Sequence, residues 1–158
     1  MNNNFSLEQF TPTSMIKAKT ASQLRECNDY TMQFGLTLTE TQITNLVEKR
    51  FVALKETGRI EFGEGILKKL ICAFCDSPYI TKENYEELIW ELQDSFYYFK
   101  NESDDLITDD DLIEFMKIHF DTVCEGSLDF LNGTSLEELC RETRYKDSNG
   151  NITDYLDI

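Results

Sequence analysis

The sequence predicts an all-α fold, a single-domain irregular bundle of five or six helices with at most a minor extended segment. Three observations carry that expectation. Apolar residues recur at i, i+3, i+4 and i+7 over several windows of helical length. Hydroxyl caps and glycine stops bracket those windows. A chain of 158 residues with only seven Gly and two Pro fits one core with few breaks.

Residues 1–19 hold scattered apolar positions without a lasting period and are expected to form an N-terminal arm. The helical domain is expected over 20–143, followed by a polar C-terminal tail over 144–158. The first helix is expected from about Ala21 to Phe34, with Leu24, Cys27, Thr31 and Phe34 on one face and Gly35 as its stop. Thr39 and Gln42 form a capping-box pattern for the second, in which Ile43, Leu46, Val47, Phe51 and Leu54 recur until Gly58. Arg59–Gly63 is the extended candidate. Ile66, Leu67, Leu70, Ile71 and Phe74 mark a third helix, closed by Ser77-Pro78 because the residue before proline disfavours the α region.

Thr81 is the expected cap of the longest helix, about Lys82 to Lys100, whose stripe of Tyr85, Leu88, Ile89, Leu92, Phe96 and Phe99 is widened by Trp90 and Tyr97. Such breadth suits a helix buried on more than one side. Thr108 followed by Asp109, Asp110 and Asp111 is a start signal, a hydroxyl cap with carboxylates at the positive end of the helix dipole. That helix is expected to end near Cys124 and Gly126. Thr134-Ser-Leu-Glu137 then reads as a capping box for a last helix through Thr143. The helices 82–100 and 109–124 are expected to pack antiparallel across the connection between them.

The net charge is −15, and it is concentrated: residues 83–125 carry two Lys/Arg against fourteen Asp/Glu. An acidic surface repels phosphates and anionic lipid, which disfavours direct binding to nucleic acid or membranes. No apolar run approaches the ~20 residues of a membrane span. The N-terminus lacks the basic and apolar regions of a secretory signal, and five dispersed Cys suit reduced thiols, so the expected location is the cytoplasm.

Within this middle region Glu102–Asp111 places six carboxylates in ten residues. Glu102, Asp104, Asp105, Asp109 and Asp110 are therefore the candidate contacts for a basic protein partner. The same segment has a calcium reading. If Ile107 takes the central apolar position of an EF-hand loop, Glu102, Asp104, Thr108 and Asp111 fall at ligand positions, but Lys100 stands where the loop needs its first carboxylate and Asp105 where it needs Gly. Asp147-Ser-Asn-Gly150 copies the middle of such a loop without its end ligands.

Three further groups bear chemistry. Cys72 and Cys75 form a C-x-x-C pair at the C-terminal end of their helix, where the dipole disfavours thiolate, so inert thiols are favoured over a redox pair. His119 and Cys124 lie about 140° apart on their helix and do not complete a zinc site with them. His119 falls on an apolar stripe and reads as a buried, hydrogen-bonded imidazole rather than a general base. No phosphate loop, nucleophile elbow or HExxH helix occurs, and no cofactor is expected.

Phe74-Cys-Asp-Ser-Pro-Tyr-Ile80, Phe96-Tyr-Tyr-Phe-Lys-Asn-Glu102, Asp109-Asp-Asp-Leu-Ile-Glu-Phe-Met116 and Gly126-Ser-Leu128 together resemble an uncharacterised family of small acidic proteins from Firmicutes bacteria. The resemblance spans roughly residues 20–143 and implies a bacterial cytoplasmic protein of unknown function. It supplies no catalytic or binding residues. The expected function is that of a non-enzymatic interaction or adaptor protein acting through an acidic face, and the alternative is a cation-binding or metal-regulated protein using 102–111 or Cys72/Cys75. Oligomeric state stays open, a homodimer included.

Overall fold

A computed structural model describes residues 11–61 and 65–148. Among them the regular elements are α1 (Pro12–Thr31), α2 (Glu40–Thr57), α3 (Leu67–Phe74), α4 (Tyr85–Glu102), α5 (Asp109–Asp121), the single turn α6 (Leu128–Phe130) and α7 (Leu136–Ser148). No strand occurs among the described residues, and Arg59–Glu61 of the extended candidate carries no regular structure. The fold is an all-α bundle.

α4 is the axis. It packs against α2, α3, α5 and α7, and its apolar positions occupy more than one side of it, so Ile89, Leu92, Phe96, Tyr97 and Phe99 are all buried. The width of the stripe in the sequence has this cause. Leu46 on α2, Leu70 and Phe74 on α3, and Met116 and Phe120 on α5 complete one continuous core. The Phe74 and Phe120 rings meet edge to face at 5.6 Å between centroids, an arrangement favoured by the ring quadrupoles.

Several boundaries differ from expectation. α1 starts at Pro12, so part of the expected arm is helix; the Thr11 hydroxyl accepts from the Ser14 N–H and proline stands at the first helical position, where no N–H is needed. α1 also ends earlier, at Thr31, and Phe34 lies in a 3₁₀ turn, 40% exposed rather than in the core. The Asn28 side chain explains the following bend, since it donates to the Leu38 carbonyl and accepts from the Leu38 N–H, which holds buried Leu36 and Leu38 against the bundle. Phe51, placed on the core face by periodicity, is 40% exposed, whereas Arg50 beside it is buried.

The capping box at Thr39 and Gln42 forms in both directions. Thr81 does not cap α4. Its own N–H donates to the Asn84 side chain, and the helix begins at Tyr85. The capping box expected at Thr134 is also absent, because that position is not a helix start. Ser127 caps the run, which continues from α6 through a π-helical turn, Leu131–Ser135, into α7, with the Leu136 N–H reaching the Leu131 carbonyl. α7 passes the expected end at Thr143 and reaches Ser148. The loop-like motif at 147–150 lies largely outside the described residues.

Candidate functional site

The acidic connection is built around a lysine. Lys100 is the third-last residue of α4, and its side chain is 6% exposed. Its Nζ donates to the Ile107 carbonyl at 2.6 Å, meets Asp109 Oδ1 at 2.8 Å and lies 3.8 Å from Asp105 Oδ1. One side chain thus joins the end of α4 to the start of α5. A buried ammonium is stable only when such groups replace its water.

The backbone wraps accordingly. The Asp104 N–H donates to the Asn101 carbonyl and the Asp105 N–H to the Lys100 carbonyl, the two bonds of a Schellman ending. Asp104 and Asp105 both have positive φ, 54° and 59°, a conformation that Asp tolerates better than most residues but that glycine usually fills. Where a Schellman ending commonly sets an apolar contact between its two closing positions, this one sets Lys100 against Asp105. The Thr108 hydroxyl accepts from the Asp111 N–H, so the expected start of α5 is formed.

Other cations arrive from distant parts of the chain. Arg59 binds Asp105 with both terminal nitrogens, 2.7 and 3.3 Å, and also donates to Asn101. Its guanidinium beside Asp105 holds that carboxyl below the ordinary carboxylate range. Lys69 pairs with Asp110 at 2.8 Å. Arg144 donates to the Glu102 carbonyl and lies 3.6 Å from its carboxylate. Of the five residues named as partner contacts, Glu102, Asp105, Asp109 and Asp110 therefore face a cation of the chain, and Asp104 has no ion pair among the described residues. Of the four calcium candidates, Thr108 is engaged as a cap and Glu102 faces Arg144. The ammonium of Lys100 fills the inside of the turn.

A second acidic surface is arranged differently. Glu87, Glu91 and Asp94 follow one another at i, i+4 and i+7 along α4, on one face of the helix. Asp129 of α6 stands near them, and Asp94 and Asp129 line a groove of about 470 Å³ together with Glu137, Ser95, Tyr98 and Asn132. None of these five carboxylates has an ion pair among the described residues. Partial burial, then Glu87, Asp129 and Asp94, raise the Glu91 carboxyl. Partial burial and Glu56 raise Asp94, with Lys49 acting weakly against them; Lys49 itself lies over the Trp90 ring at 4.1 Å.

Acceptors predominate among the polar groups of this groove, three of them carboxylates. Asn132 Oδ1 is buried and unpartnered, and the hydroxyl of Ser95, a residue 6% exposed, makes no hydrogen bond among the described residues. Tyr98, half exposed, adds an aromatic face. Carboxylates, a carbonyl oxygen and a ring suit an ammonium or guanidinium group. The spacing of 87, 91 and 94 was legible in the sequence; the arrival of Asp129 and Glu137 was not, because it depends on how α6 and α7 fold back on α4.

The remaining candidates do not converge. Among the described residues no three His, Cys, Asp or Glu side chains are placed to hold a metal ion. Cys72 is exposed and Cys75 buried, with the Cys75 thiol pushed up by burial and directed at the Cys72 carbonyl. Cys72 also interacts with Cys27 on α1, whose thiol burial pushes up to about 11. His119 stacks on Phe115 at 4.0 Å, and burial lowers its pKa. Its Nδ1 is buried without a partner, so the hydrogen bond expected there is missing. Val123, on the same side of the helical wheel as His119, lies beyond the end of α5 and is 60% exposed.

No helix among the described residues is long and apolar enough to cross a membrane. Residues 23–149 match the model of a family of unknown function, DUF6323, and the chain belongs to that family. No curated protein and no solved structure matches it.

Proposed function

We propose that this member of DUF6323 is a non-enzymatic interaction protein of the bacterial cytoplasm that receives a basic segment of a partner protein on its acidic surface. The observation that carries the reading is the gathering of Glu87, Glu91, Asp94, Asp129 and Glu137 with no ion pair to a cation among the described residues, Lys49 acting only weakly on Asp94. Holding like charges together costs free energy, and a cationic partner returns it on binding. The connection 102–111 contributes to the field that attracts such a partner, but most of its carboxylates are already matched inside the protein.

Affinity capture from the native cell at low and high salt tests the reading. A partner held through this surface is expected to be retained at low ionic strength, released as salt rises, and lost from the triple variant Glu91→Gln, Asp94→Asn, Asp129→Asn. Retention that ignores both salt and the triple variant counts against it.

A further inference from the structure

We propose that the cleft formed by the start of α1, the C-terminal half of α2 and the segment after α2 binds a small amphiphilic organic anion, a carboxylate carrying a short apolar chain. The cleft encloses about 320 Å³, at the small end of the range of ligand sites. Its walls are Ile16, Phe51, Leu54 and Ile60, and its charges are Arg50, Lys55 and Arg59 against the single carboxylate of Glu61. The lining thus holds more cations than carboxylates in a chain whose net charge is −15.

Arg50 supplies the most specific sign. It is 4% exposed, and its guanidinium is only partly matched: Nε donates to Glu61 Oε1 at 3.1 Å, Nη1 to Thr20 Oγ1 at 3.3 Å, and Nη2 is buried with no acceptor among the described residues. A buried donor without an acceptor is costly, and more so on a charged group. Gly65 seals one side of this pair. A Cβ there would lie 2.6 Å from Glu61 Oε1 and 2.9 Å from Arg50 Nη2, and its φ is +72°. On the core side the Tyr97 hydroxyl interacts with both Arg50 and Glu61, and Arg50 also lines the cleft.

Lys55 stands at the mouth, exposed and without a partner among the described residues, while Arg59 is held by Asp105 and Asn101. Three of the chain's exposed large apolar residues gather in the same place: Ile16 is 49% exposed, Phe51 40% and Ile60 77%. Apolar walls beside cationic donors complement a molecule with a carboxylate at one end and hydrocarbon at the other.

The test is titration calorimetry of the full chain with octanoate, set against 1-octanol and octylammonium. Octanoate is expected to bind with a Kd of about 1 mM or tighter, and more tightly than either comparator. That order is diagnostic, because the net charge by itself favours octylammonium. Lys55→Glu and Ile60→Asp, both at exposed positions, are expected to weaken octanoate about tenfold while leaving the thermal midpoint near that of the parent. Arg50→Lys, which disturbs a buried pair, is the harsher variant and is not required. Equal binding of octanoate and 1-octanol, tighter binding of octylammonium, or octanoate affinity indifferent to Lys55→Glu would each overturn the proposal.

Discussion

The two acidic regions at the ends of α4 carry similar charge and treat it in opposite ways. At the C-terminal end the carboxylates of 102–111 are drawn to Lys100, Arg59, Lys69 and Arg144, and the turn is organised by those contacts. Along the outer face the carboxylates of the 87–94 row and of 129 and 137 meet one another instead. The densest acidic stretch in a sequence is thus not its most electrostatically open surface. Charge that a fold has matched holds the fold; charge left unmatched is available to a partner.

The largest expected effect breaks the first region. Asp109→Asn removes the nearest carboxylate from a nearly buried ammonium and is expected to cost about 3 kcal/mol in urea unfolding, because Lys100 is then left undercompensated. Replacing Lys100 by Met in the same variant is expected to recover much of that loss. A single-variant cost near zero would show that the connection is merely solvated, like the groove.

The middle effect concerns sign. Glu91 and Asp94 have raised carboxyl pKa values, so their charged forms are disfavoured in the folded chain, and stability is regained as pH falls from neutrality through those raised values. Asp105 has a lowered value, so its contribution is fully present above the unfolded Asp pKa of about 3.9 and is lost as pH falls below that through the folded value. The urea midpoint is expected to rise on mild acidification and then to fall. In the double variant Glu91→Gln, Asp94→Asn the rise should shrink and the fall remain. An unchanged rise would locate the repulsion elsewhere.

The smallest effect is that same double variant at neutral pH. Relief of like-charge repulsion on an exposed helix face is expected to stabilise by a few tenths of a kcal/mol after solvent screening. Destabilisation would mean that the row has partners.

The helices were legible because their signals are local. The Thr39 and Thr108 caps formed as read, and the wide stripe of α4 identified the element with the most neighbours. Where the reading slipped, competing contacts decided. Phe34 left its stripe because α1 ends at Thr31, Thr81 gave way to Asn84, and the Thr134 cap disappeared into a continuous α6–α7 run. Of the groove, only the row on α4 was readable; its other wall comes from residues more than thirty positions away.

By itself the sequence determined that the chain is helical, where most helices lie and that the negative charge is concentrated in the middle. These follow from 3.6-residue periodicity, from caps that act over three or four residues, and from composition. Only the tertiary structure decided which carboxylates are neutralised. Arg59 meets Asp105 from 46 positions away, Lys69 meets Asp110 from 41, and Lys100 turns inward toward its own chain. Ion pairing depends on distance and on the exclusion of water, and packing sets both.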